Sequence, residues 1–308
     1  MRLLPLSRQQ KVIYEMALYG GDRIATITVN AIIADNPSKQ VMQKALERLL
    51  IENEILRARI ILEQGVPMQC FDDEIGQRYE VRRFTSIEEV DLFAEELSNK
   101  PMPMNGNLCQ LIAFNTEDEK NGLIIKLHHI ISDAWTVMLL GRQYDAYCKQ
   151  LQGEKNDALT LYPYTDYLEK NLQEVNSSRY KKDISFWLDL YAGRTNACYL
   201  SEKTESSTNT RYVQFLLETE ETSITKRICQ QVGVSSFAFF FTLLSVYFKR
   251  SLRQEGRSFY LGTPVFNRSG RIQQSTLGMF VNNYAVPAAV EDELTFTENL
   301  RRTSSLLV

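Results

Sequence analysis

The chain has 308 residues, a formal net charge of −3, 44% hydrophobic residues and 24% charged residues. This length suits one large domain or two lobes, and the composition predicts a globular protein with a sizeable core. The slightly acidic balance argues against nucleic acid or an anionic membrane as the partner.

Cysteine usage and apolar runs indicate the compartment. The five cysteines are scattered without a C-x-x-C pair, which predicts reduced thiols in a cytoplasmic protein and no structural zinc site. The N-terminal apolar stretch is too short for a signal peptide. The longest apolar run, Phe237 to Phe248, is shorter than the ~20 residues of a membrane span, so we expect a buried helix there.

The first predicted elements are a strand, a helix and a second strand. Ile24 to Ile33 is rich in β-branched residues and predicts a strand. A helix is expected to start near Pro37, because the apolar residues between Val41 and Leu50 recur at helical spacing. Arg57 to Leu62 is expected to return as a strand.

A hairpin and a long helix are expected next. Leu111 to Phe114 and Leu123 to His128 are apolar runs, and the polar link between them ends in Asn121-Gly122, which is typical of a β-hairpin. After Asp133 the pattern becomes helical and continues to about Gly153.

A polar stretch, Ser201 to Thr210, separates this part from a second α/β part. The expected elements of the second part are a strand over Tyr212 to Leu217, helices over Ile224 to Val232 and Ser236 to Arg250, a strand at Phe259 to Gly262, and a helix from about Thr297. We expect an N-terminal lobe over residues 1–175 and a C-terminal lobe over residues 176–308.

The chain has two histidines, and they are neighbours, His128 and His129, at the end of an apolar run. Strand side chains alternate between faces, so adjacent strand histidines are poor ligands for one metal ion, and we expect no metal site. An imidazole that faces a cleft titrates near its ordinary pKa of ~6.5. It can accept a proton from an attacking amine or hydroxyl, orient that nucleophile, or bind the oxyanion of a tetrahedral intermediate.

Asp133 has two interpretations. It can cap the N-terminus of the helix that starts at Ala134, a contribution of ~1 kcal/mol. It can also be a carboxylate that fixes the loop by pairing with a buried arginine. Spacing alone leaves both open.

The run from His128 to Ala134 resembles the H-H-x-x-x-D-G signature of condensation domains from non-ribosomal peptide synthetases. Other motifs of that family occur in the family's order. They are Ser7 to Tyr14 (S-x-A-Q-x-R-M-W), Glu54 to Ile60 (the end of R-H-E-x-L-R-T-x-F), Tyr164 to Tyr167 (Y-x-D-Y), the aromatic pair Phe186-Trp187, Gly262 to Arg268 (G-x-P-x-x-x-R), and Leu277 to Asn283 (I-G-x-F-V-N-T).

This resemblance implies an α/β (α+β) fold like that of chloramphenicol acetyltransferase, an HxxxD acyltransferase. Such a fold is a two-lobed pseudo-dimer of mixed sheets covered by helices. The histidine motif would lie at the floor of a tunnel between the lobes. The last matching motif falls inside the second lobe of the family, so the resemblance also implies that this lobe is incomplete, as in a C-terminally truncated domain.

The resemblance implies amide (peptide) bond formation between a donor acyl or peptidyl thioester and an acceptor aminoacyl thioester. Both substrates would arrive on phosphopantetheine arms of carrier proteins, within a larger multidomain synthetase, and the domain itself would bind no cofactor. A stand-alone HxxxD acyltransferase, which makes esters or amides from thioester donors, is an alternative. A non-catalytic module that recruits a carrier or partner is another, although recruitment members usually lack the second histidine.

The resemblance also assigns roles to residues. His129, the second histidine, would be catalytic, and His128 would be structural. Asp133 would pair with Arg57, because a buried carboxylate without a partner costs several kcal/mol.

The remaining carried-over residues would lie near the tunnel or the lobe interface: Ala134, Trp135, Arg268 and Asn282. Ala134 stands where the motif has glycine, and in a left-handed conformation alanine would cost ~1–2 kcal/mol. Trp135 suits the members that form peptide bonds.

Overall fold

The computed structural model describes residues 2–33, 36–155, 158–174, 177–192, 213–252, 259–288 and 290–307. The chain divides into two compact units. The first comprises Met1–Lys181 together with Phe266–Asn282, and the second comprises Lys182–Val265 together with Asn283–Val308. The division therefore differs from the expected boundary at residue 175, because a late segment of the chain packs within the first unit.

The first unit contains two sheets covered by helices. Its strands are β1 (Leu4–Pro5), β2 (Thr26–Ile33), β3 (Ala58–Glu63), β4 (Val66–Phe71), β5 (Tyr79–Phe84), β6 (Cys109–Thr116) and β7 (Asn121–His128). Its helices are α1 (Arg8–Gly20), α2 (Lys39–Glu52), α3 (Ile87–Asn99), α4 (Ala134–Leu151), α5 (Tyr164–Glu174), the start of α6 (Ser178–Tyr191), and the short α9 (Gly270–Gln274).

The larger sheet has the strand order β2-β7-β6-β5, in which only the β5–β6 pair is parallel. The smaller sheet has the order β1-β4-β3 and is antiparallel. The mixed sheets and flanking helices agree with the expected fold class.

The predicted hairpin is confirmed as β6 and β7, and its continuous hydrophobicity has a structural cause. Leu123 and Ile125 face the core that also holds the buried sides of α2 and α4, whereas Ile124 faces Val90 on α3. Both faces of the sheet are thus covered, and so both carry apolar residues. The turn itself precedes Asn121, which already lies in β7.

Helix α2 confirms the predicted apolar stripe. The side chain of Ser38 caps the helix by accepting a hydrogen bond from the backbone N–H of Val41, so the helix begins at Lys39 rather than at Pro37. Its buried residues are Met42, Ala45, Leu46, Leu49 and Leu50.

The second unit contains the rest of α6, α7 (Thr219–Val232), α8 (Ser236–Leu252), β8 (Tyr260–Val265), all but the first residue of β9 (Asn282–Pro287), and α10 (Phe296–Leu306). β8 and β9 pair as a two-stranded sheet. The strand expected over Tyr212 to Leu217 is wrong for residues 213–217, which are not in a strand. Phe215 there is 87% exposed. Tyr212 and the expected linker lie outside the described residues.

Helix α8 matches its predicted position but not its predicted burial. One side of it is exposed by 39% to 62%, at Phe237, Phe240, Leu243, Leu244 and Tyr247. Within the described residues, α8 packs against α7 and α10, and this side is left uncovered.

Among the described residues, no single helix has the length and hydropathy of a membrane span. Helices α7 and α8 meet those criteria only as a pair, and the chain bends by 103° between them.

Candidate active site

The two histidines occupy different kinds of backbone. Strand β7 ends at His128, and His129–Ile131 form one turn of 3-10 helix. The alternation expected of adjacent strand residues therefore does not apply to His129. The two rings differ in environment instead, since His128 is fully buried and His129 is half-buried.

The ring of His128 is held as a neutral, structural group. Its Nδ1 accepts a hydrogen bond from the backbone N–H of Ile130 at 3.1 Å, so the proton of the neutral ring lies on Nε2. Burial, with a smaller contribution from His129, lowers the pKa of His128 to about 4. The ring is therefore uncharged at neutral pH.

The ring of His129 has the opposite tautomer. Its Nδ1 lies 2.7 Å from the carbonyl oxygen of Ser132, and because a carbonyl only accepts, Nδ1 carries the proton. The hydroxyl of Ser132 donates to the carbonyl of His128 at 3.1 Å, and this bond joins the two ends of the turn. The lone pair of His129 Nε2 is left to accept a hydrogen bond or a proton from a reacting group.

Asp133 combines the two functions that the sequence left open. As N-cap of α4, its Oδ1 accepts a hydrogen bond from the backbone N–H of Thr136 at 2.9 Å. Both of its carboxylate oxygens also lie 2.9 Å from Nη2 of Arg268, and both side chains are fully withdrawn from solvent. The backbone N–H of Phe280 donates to Oδ2 at 3.2 Å. The buried charge is thus compensated on several sides.

Arg57 is not the partner of Asp133, so the expected Asp133–Arg57 pair is wrong. The guanidinium of Arg57 donates instead to the carbonyls of Leu50, Ile51 and Asp72. Leu50 and Ile51 lie in the last turn of α2, where carbonyls lack partners within the helix and a positive charge is favoured. Arg57 therefore secures the end of α2.

Arg268 was expected near the tunnel or lobe interface, and the structure places it inside the first unit. Its Nη1 donates to the carbonyls of Gln273 at 2.7 Å and Thr276 at 2.5 Å. Its guanidinium also lies 3.9 Å from the centre of the Phe280 ring. Burial lowers the pKa of Arg268, and the neighbouring Asp133 opposes that change.

Gly278 completes this cluster and explains part of one matched motif. Its φ angle is +147°, and a Cβ atom at this position would overlap the ring of Tyr164. The hydroxyl of Thr136 accepts from the N–H of Gly278 at 2.9 Å and donates to its carbonyl at 2.8 Å. The segment 277–280 is thereby joined to the first turn of α4.

Two other matched motifs meet at the start of α5. Oε1 of Glu54 accepts hydrogen bonds of 2.8 Å from both the N–H and the hydroxyl of Thr165. An acidic group is favoured at a helix N-terminus, so this contact is structural.

The other three residues assigned near the tunnel have ordinary surroundings. Ala134 is the first, exposed residue of α4, and positive φ angles among the described non-glycine residues occur elsewhere, so the expected strain does not arise. The indole N–H of Trp135 donates to the carbonyl of Gln274 at 2.8 Å. Asn282 begins β9 and is half-buried. Their roles in substrate binding stay predictions.

Sequence reasoning missed two groups that shape the site. The carbonyl of Ser132 orients His129, and a backbone acceptor leaves no signal in the sequence. The amide of Gln10 reaches the carbonyl of Ile130 in the histidine turn at 3.1 Å, and its place in the first matched motif was the available signal. No cluster of three or more metal-ligating side chains occurs in the part of the chain that the structure describes.

The chain belongs to the condensation domain family, whose model matches residues 2–308. Among curated relatives, it is 24% identical to surfactin synthase subunit 1 of Bacillus subtilis (strain 168), over 97% of this chain and 8% of that protein. It is also 24% identical to bacitracin synthase 3 of Bacillus licheniformis, over 84% of this chain and 4% of that protein. The chain therefore spans a small part of these relatives.

Solved structures confirm the fold. The first condensation domain of the calcium-dependent antibiotic synthetase, in complex with a substrate analogue, matches with a TM-score of 0.82 and 16% identity, over 99% of this chain and 74% of that one. The condensation domain from the Monacolin K polyketide synthase MokA matches with a TM-score of 0.82 and 15% identity, over 100% and 72%.

Proposed function

We propose that this chain catalyses amide-bond formation between a donor acyl or peptidyl thioester and the amine of an acceptor aminoacyl thioester. Both substrates are presented on phosphopantetheine arms of carrier proteins, and the domain binds no cofactor of its own. The observation that carries the proposal is the tautomer of His129 in a member of the condensation domain family. Its Nδ1–H is held by the Ser132 carbonyl, and its Nε2 is available to the reacting amine.

The reaction needs one proton to be moved. The neutral amine attacks the thioester carbonyl, a C–N bond forms, and the C–S bond then breaks. A thioester is already reactive, so His129 first orients the amine by accepting a hydrogen bond at Nε2. It takes the proton late in the step, as positive charge develops on nitrogen, and returns it to the departing thiolate.

The surrounding groups keep this imidazole in place without taking part in the reaction. His128 is neutral and buried, and Asp133 is neutralised by Arg268. Neither group competes with His129 for the proton of the amine.

A stand-alone acyltransferase with thioester donors would use the same imidazole. Its distinguishing property is that it accepts a free acyl thioester and a soluble amine or alcohol. A recruitment module is less favoured, because His129 is present and its tautomer is suited to proton acceptance. A larger synthetase context and a cytoplasmic location stay predictions.

The test is to incubate the chain with a donor-loaded and an acceptor-loaded carrier protein and to measure the carriers by intact mass. We expect the condensed product on the acceptor carrier, and none with His129→Ala. Product only from a free thioester and a soluble nucleophile would favour the stand-alone acyltransferase. Carrier binding without product would favour the recruitment module.

A further inference from the structure

Gln10 in α1 is a buried side chain that the proposed reaction does not use. Its Nε2 donates to two acceptors, Oε1 of Gln69 at 2.9 Å and the backbone carbonyl of Ile130 at 3.1 Å. The Ile130 contact joins α1 to the turn that carries His129.

The amide of Gln10 has a single satisfied orientation. Its Oε1 accepts from the backbone N–H of Ser7 at 2.9 Å and from Nε2 of Gln69 at 2.8 Å. Because a backbone N–H can only donate, the oxygen must face Ser7, and the NH₂ group must then face Ile130. Reversing the amide would place a donor against Ser7 and an acceptor against the Ile130 carbonyl. The bond from Ser7 therefore keeps the NH₂ group of Gln10 directed at the histidine turn.

Ile130 is held on both sides of its backbone. Its N–H donates to Nδ1 of His128, and its carbonyl accepts from Gln10. The N–H belongs to the peptide group between His129 and Ile130, and the carbonyl belongs to the next one, between Ile130 and Ile131. The two bonds thus hold two consecutive peptide groups of the turn that carries the catalytic ring. The ring itself is anchored by the backbone carbonyl of Ser132, which lies 2.7 Å from His129 Nδ1.

We propose that Gln10 is a positioning residue for His129, acting through the carbonyl of Ile130. This inference rests on the proposed function. Without the Gln10 donor, the peptide group between Ile130 and Ile131 loses its bond to α1, the turn is held less firmly, and the His129 ring departs from the orientation that presents Nε2 to the amine. A misplacement of about 1 Å at a reacting group costs on the order of 100-fold in rate, so a small change in this turn has a large effect.

The chain offers matched variants for the test. Gln10→Met and Gln69→Met each leave one buried amide of the pair without its partner, but only Gln10→Met removes the contact with Ile130. Gln9→Met is a neighbouring control, because Gln9 is also buried but is bonded to the hydroxyl of Tyr167. The double variant Gln10→Met/Gln69→Met removes both amides, so neither is left buried without the other. It serves as the test if a single variant fails to fold.

The kinetic measurement is kcat and KM for carrier-to-carrier condensation. We expect kcat of Gln10→Met and of the double variant to fall about 10- to 100-fold with little change in KM. We expect both single variants to lower the melting temperature, Gln10→Met somewhat more because it also removes the bond from Ser7 N–H that caps α1. We expect Gln69→Met to keep most of kcat, and Gln9→Met to keep kcat. Equal kcat in Gln10→Met and Gln69→Met would overturn the proposal.

The spectroscopic measurement is ¹⁵N NMR of the imidazoles, which is simple because the chain has two histidines. In the wild-type chain we expect two opposite neutral tautomers, and in Gln10→Met we expect the His129 signals to lose their single Nδ1–H form. An unchanged His129 spectrum would overturn the positioning role even when the wild-type chain forms no amide. Absence of product from the wild-type chain would instead overturn the proposed function.

Discussion

Arg268 binds both carboxylate oxygens of Asp133 at 2.9 Å, in surroundings where neither side chain contacts water. Asp133 also caps α4 directly after the histidine turn. This pair therefore ties the turn that presents His129 to the segment Phe266–Asn282, which comes much later in the chain.

Removing the guanidinium should destabilise the protein strongly. Arg268→Met leaves Asp133 buried without its counter-charge, and we expect a loss of about 3–5 kcal/mol in the free energy of unfolding. Asp133→Asn/Arg268→Met should recover much of this, because the amide still caps α4 and carries no charge. Urea denaturation measures both. Arg2→Met is the control, since the Arg2–Glu169 pair is exposed and should contribute less than about 1 kcal/mol. Equal losses in Arg268→Met and Arg2→Met would contradict the structure.

His129→Ala should separate activity from folding. The ring is half-buried and its hydrogen bond to Ser132 is local, so the melting temperature should change little. Loss of the proton acceptor should slow amide formation by about 10²- to 10⁴-fold. Intact-mass analysis of the acceptor carrier measures the rate. Turnover close to that of the wild-type chain would exclude His129 as the catalytic group.

Gly278→Ala should destabilise the first unit. A Cβ atom would overlap the ring of Tyr164, and the φ angle of +147° strains a non-glycine residue by about 1–3 kcal/mol. Gly141→Ala provides a control of opposite sign. Gly141 lies within α4 with open space around its Cβ position, so alanine should stabilise the protein by about 0.5–1 kcal/mol. Thermal denaturation measures both variants, and a drop in melting temperature confined to Gly141→Ala would refute this account.

The buried His128 should make stability depend on pH. Its pKa is lowered from 6.5 to about 4, chiefly by burial, so the folded chain binds this proton less readily than the unfolded chain. The stability that depends on a neutral His128 is fully present above pH 6.5, and it is lost as the pH falls towards 4. The slope is about 1.4 kcal/mol per pH unit within that window.

The matching variant is His128→Asn. Its Oδ1 can still accept the N–H of Ile130, but the side chain no longer titrates. Urea denaturation between pH 7 and pH 5 should show a weaker pH dependence in His128→Asn than in the wild-type chain. Identical slopes would mean that His128 is not the group responsible.

Features that depend only on nearby residues in the chain were predicted correctly from the sequence in three cases. The spacing of apolar residues gave the buried side of α2, and the two apolar runs gave the β6–β7 hairpin. The side-chain cap at Asp133 follows from the same local chemistry. Alternation failed at His129, because the extended backbone stops one residue earlier.

Patterns that depend on distant partners were predicted less well. Arg57 and Arg268 carry the same charge, and sequence alone does not say which one reaches Asp133. The choice is made by packing, since the last turn of α2 occupies Arg57 with its carbonyls. For the same reason the composition of α8 predicted an apolar helix correctly but not its exposed side, because burial depends on which other elements pack against it.

The position of Arg268 also has a consequence for biosynthesis. A ribosome completes the histidine turn and α4 long before it adds residue 268, which lies 135 positions after Asp133. Until that residue emerges, the carboxylate of Asp133 has no guanidinium to accompany it into the interior. The site around His129 is therefore finished late in synthesis, and a nascent chain that ends at Lys181 is not a smaller working form of the first unit.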